Sequence, residues 1–168
     1  REITRIVTSG TILEEHTLES KRNNYLCALA VAGESFGVAV LDISTGSFWI
    51  ELSDGLQPTA SLLAKIAPSE CLVPESIFRS DRLAGLFGSV QDIVVTPYED
   101  WTFDYDAAYD FLIRHFKVHS LEGFGCEDCP AGVAAAGAVL HYVSKELRRR
   151  VGHIRNIQTK RADDYMLL

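Results

Sequence analysis

Val38-Ala-Val-Leu-Asp-Ile-Ser-Thr-Gly-Ser-Phe-Trp-Ile50 joins an apolar run, a short polar turn and a second apolar run. Ser44-Thr45-Gly46 has the turn chemistry of a hairpin loop, with Gly46 able to take the left-handed conformation that a side chain resists. Working outward, Tyr25 to Ala32 reads as a strand before it and Gly33-Glu34 as a tight connection. Three strands result: Tyr25 to Ala32, Phe36 to Ile43 and Ser47 to Leu52. Loops this short allow only an antiparallel meander.

The pattern changes after Leu52. Leu62, Leu63 and Ile66 recur at helical spacing from Pro58 to Ala67, with the proline where a first turn tolerates it. Cys71-Leu-Val-Pro74 predicts a short buried strand, Ile77 to Leu86 a second helix ended by Gly88, and Asp92 to Thr96 a strand stopped by Pro97. Two strand–helix–strand steps after a meander predict an α/β fold, a mixed sheet with helices packed on its faces.

The last third is helical. From Asp104, the residues Tyr105, Ala108, Tyr109, Leu112, Ile113 and Phe116 mark the apolar stripe of an amphipathic helix. Pro130 opens a longer helix to about Arg149, with Arg148 to Arg150 at its C-terminal end. Its first half, Ala131-Gly-Val-Ala-Ala-Ala-Gly-Ala138, is almost all small residues, which predicts close contact with a sheet or another helix. His153 to Ile157 reads as an extended exit. The polar run Gln158 to Asp164, including Lys160, Arg161 and Asp163, reads as an inter-domain linker. At the other end, Ile3 to Thr8 reads as a strand and Glu14 to Asn24 as a loop.

Composition narrows the function classes. The 168 residues carry 23 acidic and 16 basic side chains, a formal charge of -7, so the summed field repels a phosphate backbone and direct DNA contact is expected to be slight. Hydrophobic residues make up 47%, ordinary for a globular domain, and no apolar run approaches the ~20 residues of a membrane span. Four cysteines in a chain of this length fit a reducing compartment better than a disulfide scaffold, so a cytoplasmic location is expected. A chain that opens on Arg1 and ends just after its only methionine, Met166, reads as a piece of something longer.

Three constellations could carry chemistry. Asp42 ends a strand and Glu75 follows another, the placement of metal-binding carboxylates in a nuclease; such a site needs three or four carboxylates around two metals, and no third partner is evident. The local alternative is that the Asp42 carboxylate accepts from the amides of Ser44 or Thr45, making Asp42 and Gly46 structural turn residues. His115-x₃-His119 and Cys126-x₂-Cys129 supply zinc-type donors, but the six residues between the pairs are too few for a typical finger. No phosphate-binding glycine loop is present. The residues alone therefore predict no catalytic, metal or cofactor site.

Several segments resemble successive landmarks of the bacterial MutS mismatch-repair family: Arg1-Glu-Ile-Thr-Arg-Ile-Val-Thr-Ser-Gly-Thr11, Arg22-Asn-Asn-Tyr-Leu26, Gly37-Val-Ala-Val-Leu-Asp-Ile-Ser-Thr-Gly-Ser-Phe48, Leu121-Glu-Gly-Phe-Gly125, Ala134-Ala-Ala-Gly137 and His153-Ile-Arg-Asn-Ile157. The resemblance implies a ribonuclease-H-like connector domain over residues 1 to about 160, with 161–168 the linker and Tyr165 to Leu168 the start of a lever domain. It further implies a non-enzymatic role: the connector links the mismatch-recognition domain to the lever and ATPase domains, transmits nucleotide-driven change and offers a surface to MutL. The intact protein would be a homodimer that binds mismatched DNA and carries ATP and Mg at an ATPase domain outside this chain. The family's Phe-x-Glu mismatch wedge has no counterpart in this sequence.

Overall fold

The first three strands form the expected meander. In the computed structural model, which describes residues 25–80, 83–88, 93–126 and 128–160, β1 (Tyr25–Ala32), β2 (Ser35–Asp42) and β3 (Ser47–Asp54) pair antiparallel in sequence. β4 (Glu70–Pro74) then joins parallel to β1, and β5 (Val94–Tyr98) parallel to β4. A short β6 (Gln158–Lys160) lies parallel to β3, giving the order β5-β4-β1-β2-β3-β6. A meander extended on one side by parallel strands is a ribonuclease-H-like mixed sheet.

Both faces of this sheet are covered, which is why β1 and β2 read as nearly continuous apolar runs. On one face Cys27, Leu29, Val38, Val40, Cys71 and Val95 pack against Ala60, Leu63 and Ile66 of α1 (Leu56–Ile66) and against Leu86 of α3 (Ala84–Gly88). On the other, Leu26, Ala28, Ala39, Leu41, Ile50 and Leu72 meet α4 (Tyr105–Phe116) and α5 (Pro130–His141). The Asp104 carboxylate accepts the Ala107 amide at 3.1 Å and caps α4.

Small residues let α5 lie close to its neighbours. An added Cβ on Gly37 of β2 would fall well under 3 Å from the backbone of Ala131 and Gly132 at the start of α5, and one on Gly137 would do the same with Ala108 of α4. The glycines thus set two packing distances, sheet to helix and helix to helix.

Five expectations need correction. The turn after β2 has four residues, Ile43 to Gly46, not three, since Asp42 pairs with Ser47. The helix expected from Ile77 to Leu86 is two pieces, α2 (Glu75–Arg79) and α3, because Ser80 turns extended while its amide and hydroxyl both donate to the Ile77 carbonyl. Pro97 lies inside β5 instead of ending it; β5 is an edge strand, where a missing N–H is tolerated. The long helix stops before the arginines. Its last turn, Tyr142–Glu146, widens so that the Leu147 amide donates to the Tyr142 carbonyl at 2.9 Å, and Arg148 takes a left-handed φ of 53°. Finally, Gln158 and Lys160, placed above in the linker, belong to β6 and so to the sheet. The expectations for residues 1–24, Asp92, Arg161, Asp163, Asp164 and Tyr165 to Leu168 fall outside the described residues.

Candidate functional site

Asp42 faces its own turn. Its Oδ1 accepts from the Ser44 amide at 3.0 Å and the Ser44 hydroxyl at 2.6 Å, while the Gly46 amide donates to the Asp42 carbonyl at 2.8 Å. Gly46 has φ 85°, the left-handed conformation its type suits. Glu75 is exposed at the start of α2 and pairs with Arg79 across one helical turn at 3.7 Å. The two carboxylates thus have separate local partners, and no cluster of three or more His, Cys, Asp or Glu that could hold a metal occurs among the described residues.

The zinc-type donors are likewise drawn apart. His115 Nε2 lies 2.7 Å from the Ile154 carbonyl and therefore donates to it, tying α4 to the segment before β6. His119 is exposed. Cys126 and Cys129 are buried, with the Cys129 thiol donating to the Cys126 carbonyl at 3.0 Å. Burial pushes the Cys27 and Cys71 thiols, neighbours across β1 and β4, well above the ordinary cysteine value, so neither has the thiolate character of a nucleophile.

Beside α4 lies the feature that the sequence did not single out. A cleft of about 610 Å³ opens between α4, α5 and the short turn Asp100–Phe103, walled by Trp101, Phe111 and His141. Trp101 is 55% exposed, unusual for its size; its ring meets His141 edge-on at 5.0 Å, and its indole N–H donates to Glu99 at 3.0 Å. His141 Nδ1 is 2.9 Å from the Tyr98 hydroxyl. Loss of water around the ring, then the charge of Lys145, holds its pKa below the ordinary histidine value, with Glu99 and Glu146 opposing. Below His141, Glu70 accepts from the hydroxyls of Thr96 at 2.5 Å and Tyr142 at 3.0 Å, fixing β4, β5 and the end of the long helix together. A second cleft, lined by Lys117, Gly152 and Arg155, shares Arg114, His115 and Val151 with the first.

At the opposite edge, the Trp49 indole N–H donates to the buried Glu51 carboxylate at 2.8 Å, and the Lys160 ammonium sits 4.5 Å above the Trp49 ring. This cation–π contact fastens β6 to β3. Ligand-type spacing marked Asp42 and the His and Cys pairs for attention, whereas the cleft unites residues from three separate elements. Its available signals were an exposed Trp and the cations of Lys145 to Arg155.

The geometry defines a ribonuclease-H-like α/β domain whose strand-end carboxylate serves a turn. Residues 24–155 match the family described as MutS domain II. The chain is 36% identical over 171 residues to the DNA mismatch repair protein MutS of Protochlamydia amoebophila, covering 100% of this chain and 20% of that protein. It is also 36% identical over 180 residues to the MutS of Synechococcus elongatus, and 36% over 168 residues to that of Cytophaga hutchinsonii, again over 100% of the chain. This chain belongs to the MutS family, and it spans about a fifth of the length of these relatives. No helix among the described residues is long and apolar enough to cross a membrane.

Proposed function

We propose that this domain is the connector of a mismatch-repair protein of the MutS type, a rigid body that joins a mismatch-recognition domain to lever and ATPase domains and passes nucleotide-driven movement between them. The match of residues 24–155 to MutS domain II carries this reading. The packing supports it: a sheet covered on both faces, with its glycine contacts and the Glu70 network, moves as one unit, as a part between hinges must. Residues 1 to about 160 form the connector and 161–168 the passage into the lever, with β6 anchoring the exit to the sheet edge. The ATP, Mg and mismatched-DNA sites of the intact protein, acting as a homodimer, lie outside this chain, and the connector itself works without a cofactor in the cytoplasm.

Its partners are the other domains of the same protein in cis and MutL in trans. Isothermal titration of this chain with MutL tests the second partner. Saturable binding at micromolar concentration supports it, and the absence of heat or of a shift in sedimentation removes MutL from the reading. A fluorophore pair across the connector and lever of the intact protein tests the first: ATP is expected to change the transfer efficiency, and an unchanged signal refutes transmission through this joint.

A further inference from the structure

Two pairs of cysteines stand close together, and they differ in what lies beside them. Cys27 and Cys71 are in register across β1 and β4, both fully enclosed, and burial pushes their thiols well above the ordinary value. Cys126 and Cys129 instead bracket a tight turn: the Cys129 amide donates to the Cys126 carbonyl at 3.3 Å, and the Cys129 thiol donates to the same oxygen at 3.0 Å. A turn closed in this way holds its first and fourth Cα atoms within about 7 Å, which overlaps the span that a disulfide bridges. Both side chains belong to one apolar cluster. Cys129, the residue ahead of α5, also lines a third cleft, of about 740 Å³, at the far end of that helix from His141, together with Ala32, Leu52, Asp54 and Pro130. Cys126 is fully enclosed behind it.

We propose that Cys126 and Cys129 form a redox-active dithiol that hydroperoxides oxidise to a reversible disulfide. Cys129, reached from the cleft, gives up its proton, and its sulfur attacks the peroxide O–O bond. The sulfur becomes a sulfenic acid, and an alcohol leaves, or water when the oxidant is hydrogen peroxide. The Cys126 sulfur then displaces the sulfenic oxygen as water. Two thiols and one hydroperoxide thus yield one disulfide, one alcohol or water, and one further water. A dithiol reductant restores both thiols by exchange. At 4% exposure, Cys129 admits a small peroxide sooner than a bulky aromatic reagent. The bond forms beside the chain's exit from the sheet, since the Thr159 hydroxyl of β6 donates to the Phe124 carbonyl at 3.5 Å, in the loop just ahead of Cys126. The inference is independent of the role in mismatch repair.

The test treats the native 168-residue chain with hydrogen peroxide, destroys the excess with catalase, alkylates in denaturant and reads the products by mass spectrometry. The expected product takes up alkyl groups on Cys27 and Cys71 only, and its peptide spanning 126–129 is two hydrogens lighter until dithiothreitol restores it. Unoxidised Cys27 and Cys71 in the same sample show that the chain stayed folded. In Cys126→Ser, Cys129 is expected to halt at the sulfenic acid and be trapped by dimedone, whereas in Cys129→Ser no adduct is expected on Cys126. The proposal is overturned if all four thiols of the parent can still be alkylated, if Cys27 and Cys71 pair as fast, or if the only new bonds join separate chains. Oxidation of Cys129 to the sulfinic acid without a disulfide, or trapping of Cys126 as readily as Cys129, also overturns it.

Discussion

Replacing Gly37 with Ala should be one of the most damaging single-methyl changes in this domain. In an ordinary strand the swap is favourable by roughly 0.5–1 kcal/mol, because alanine loses less backbone freedom on folding. At this position the new Cβ would stand well under 3 Å from the Ala131 carbonyl carbon and the Gly132 nitrogen, where ordinary contact begins near 3.4 Å. Those atoms belong to helix backbone and cannot rotate aside, so α5 would have to lift from the sheet by about an ångström. Overpacking of this kind costs about 1–3 kcal/mol and here belongs at the upper end, leaving a net loss of about 2 kcal/mol. For a chain of this length that is a fall in Tm of about 4–8 °C, or close to 1 M in urea midpoint at a slope near 2 kcal/mol/M. Gly85 is the control: it lies in α3 with nothing within 4 Å of an added Cβ, so Gly85→Ala should be neutral or slightly stabilising. If Gly37→Ala proves as stable as the parent in urea unfolding, the close approach of α5 to the sheet is wrong.

Three further outcomes follow from the same geometry. Asp42→Ala, which removes the acceptor of the Ser44 amide and hydroxyl, should lower stability by about 0.5–1.5 kcal/mol in urea unfolding, while Asp42→Asn, which keeps Oδ1, should cost less. The buried thiols of Cys27, Cys71, Cys126 and Cys129 should resist an aromatic disulfide reagent at pH 8 in the native chain and all react in denaturant; rapid native labelling would contradict their burial. His141, held below its ordinary pKa, binds its proton less readily in the folded chain than in the unfolded one. Its contribution is therefore complete above about pH 6.5 and declines as pH falls through that value toward the folded pKa. The parent should melt at a lower temperature at pH 5.5 than at pH 7.5, and His141→Gln should show a smaller difference; an equal difference in both proteins would remove His141 as the cause.

The elements legible in the sequence were those whose causes are local. Apolar runs separated by short glycine turns sufficed for the meander, and Asp104 ahead of an apolar stripe sufficed for α4. The small residues of α5 announced a close contact, though not that Gly37 and Ala108 would be the surfaces met. What escaped depends on position in the finished sheet. Pro97 reads as a stop signal until β5 is known to be an edge strand. Gln158–Lys160 reads as linker because three polar residues carry no period, and only the exposed edge of β3, with the Trp49 ring beneath Lys160, makes them a strand. The cleft beside α4 was least legible of all, since Trp101, Arg114 and Lys145 are brought together by three elements.

This division between local and assembled features bears on Asp42. A strand end in a ribonuclease-H-like sheet is where a metal-dependent enzyme concentrates carboxylates, and the fold supplies that position whether or not it is used. Here the second strand-end carboxylate, Glu75, pairs with Arg79 of its own helix, while the half-buried Glu70 holds Tyr142 with Thr96 and the buried Glu51 holds Trp49. These acidic side chains therefore brace the ends and edges of the sheet individually. The clefts beside α4 gather their cations, Arg114, Lys117, Lys145 and Arg155, on a different surface, away from these carboxylates.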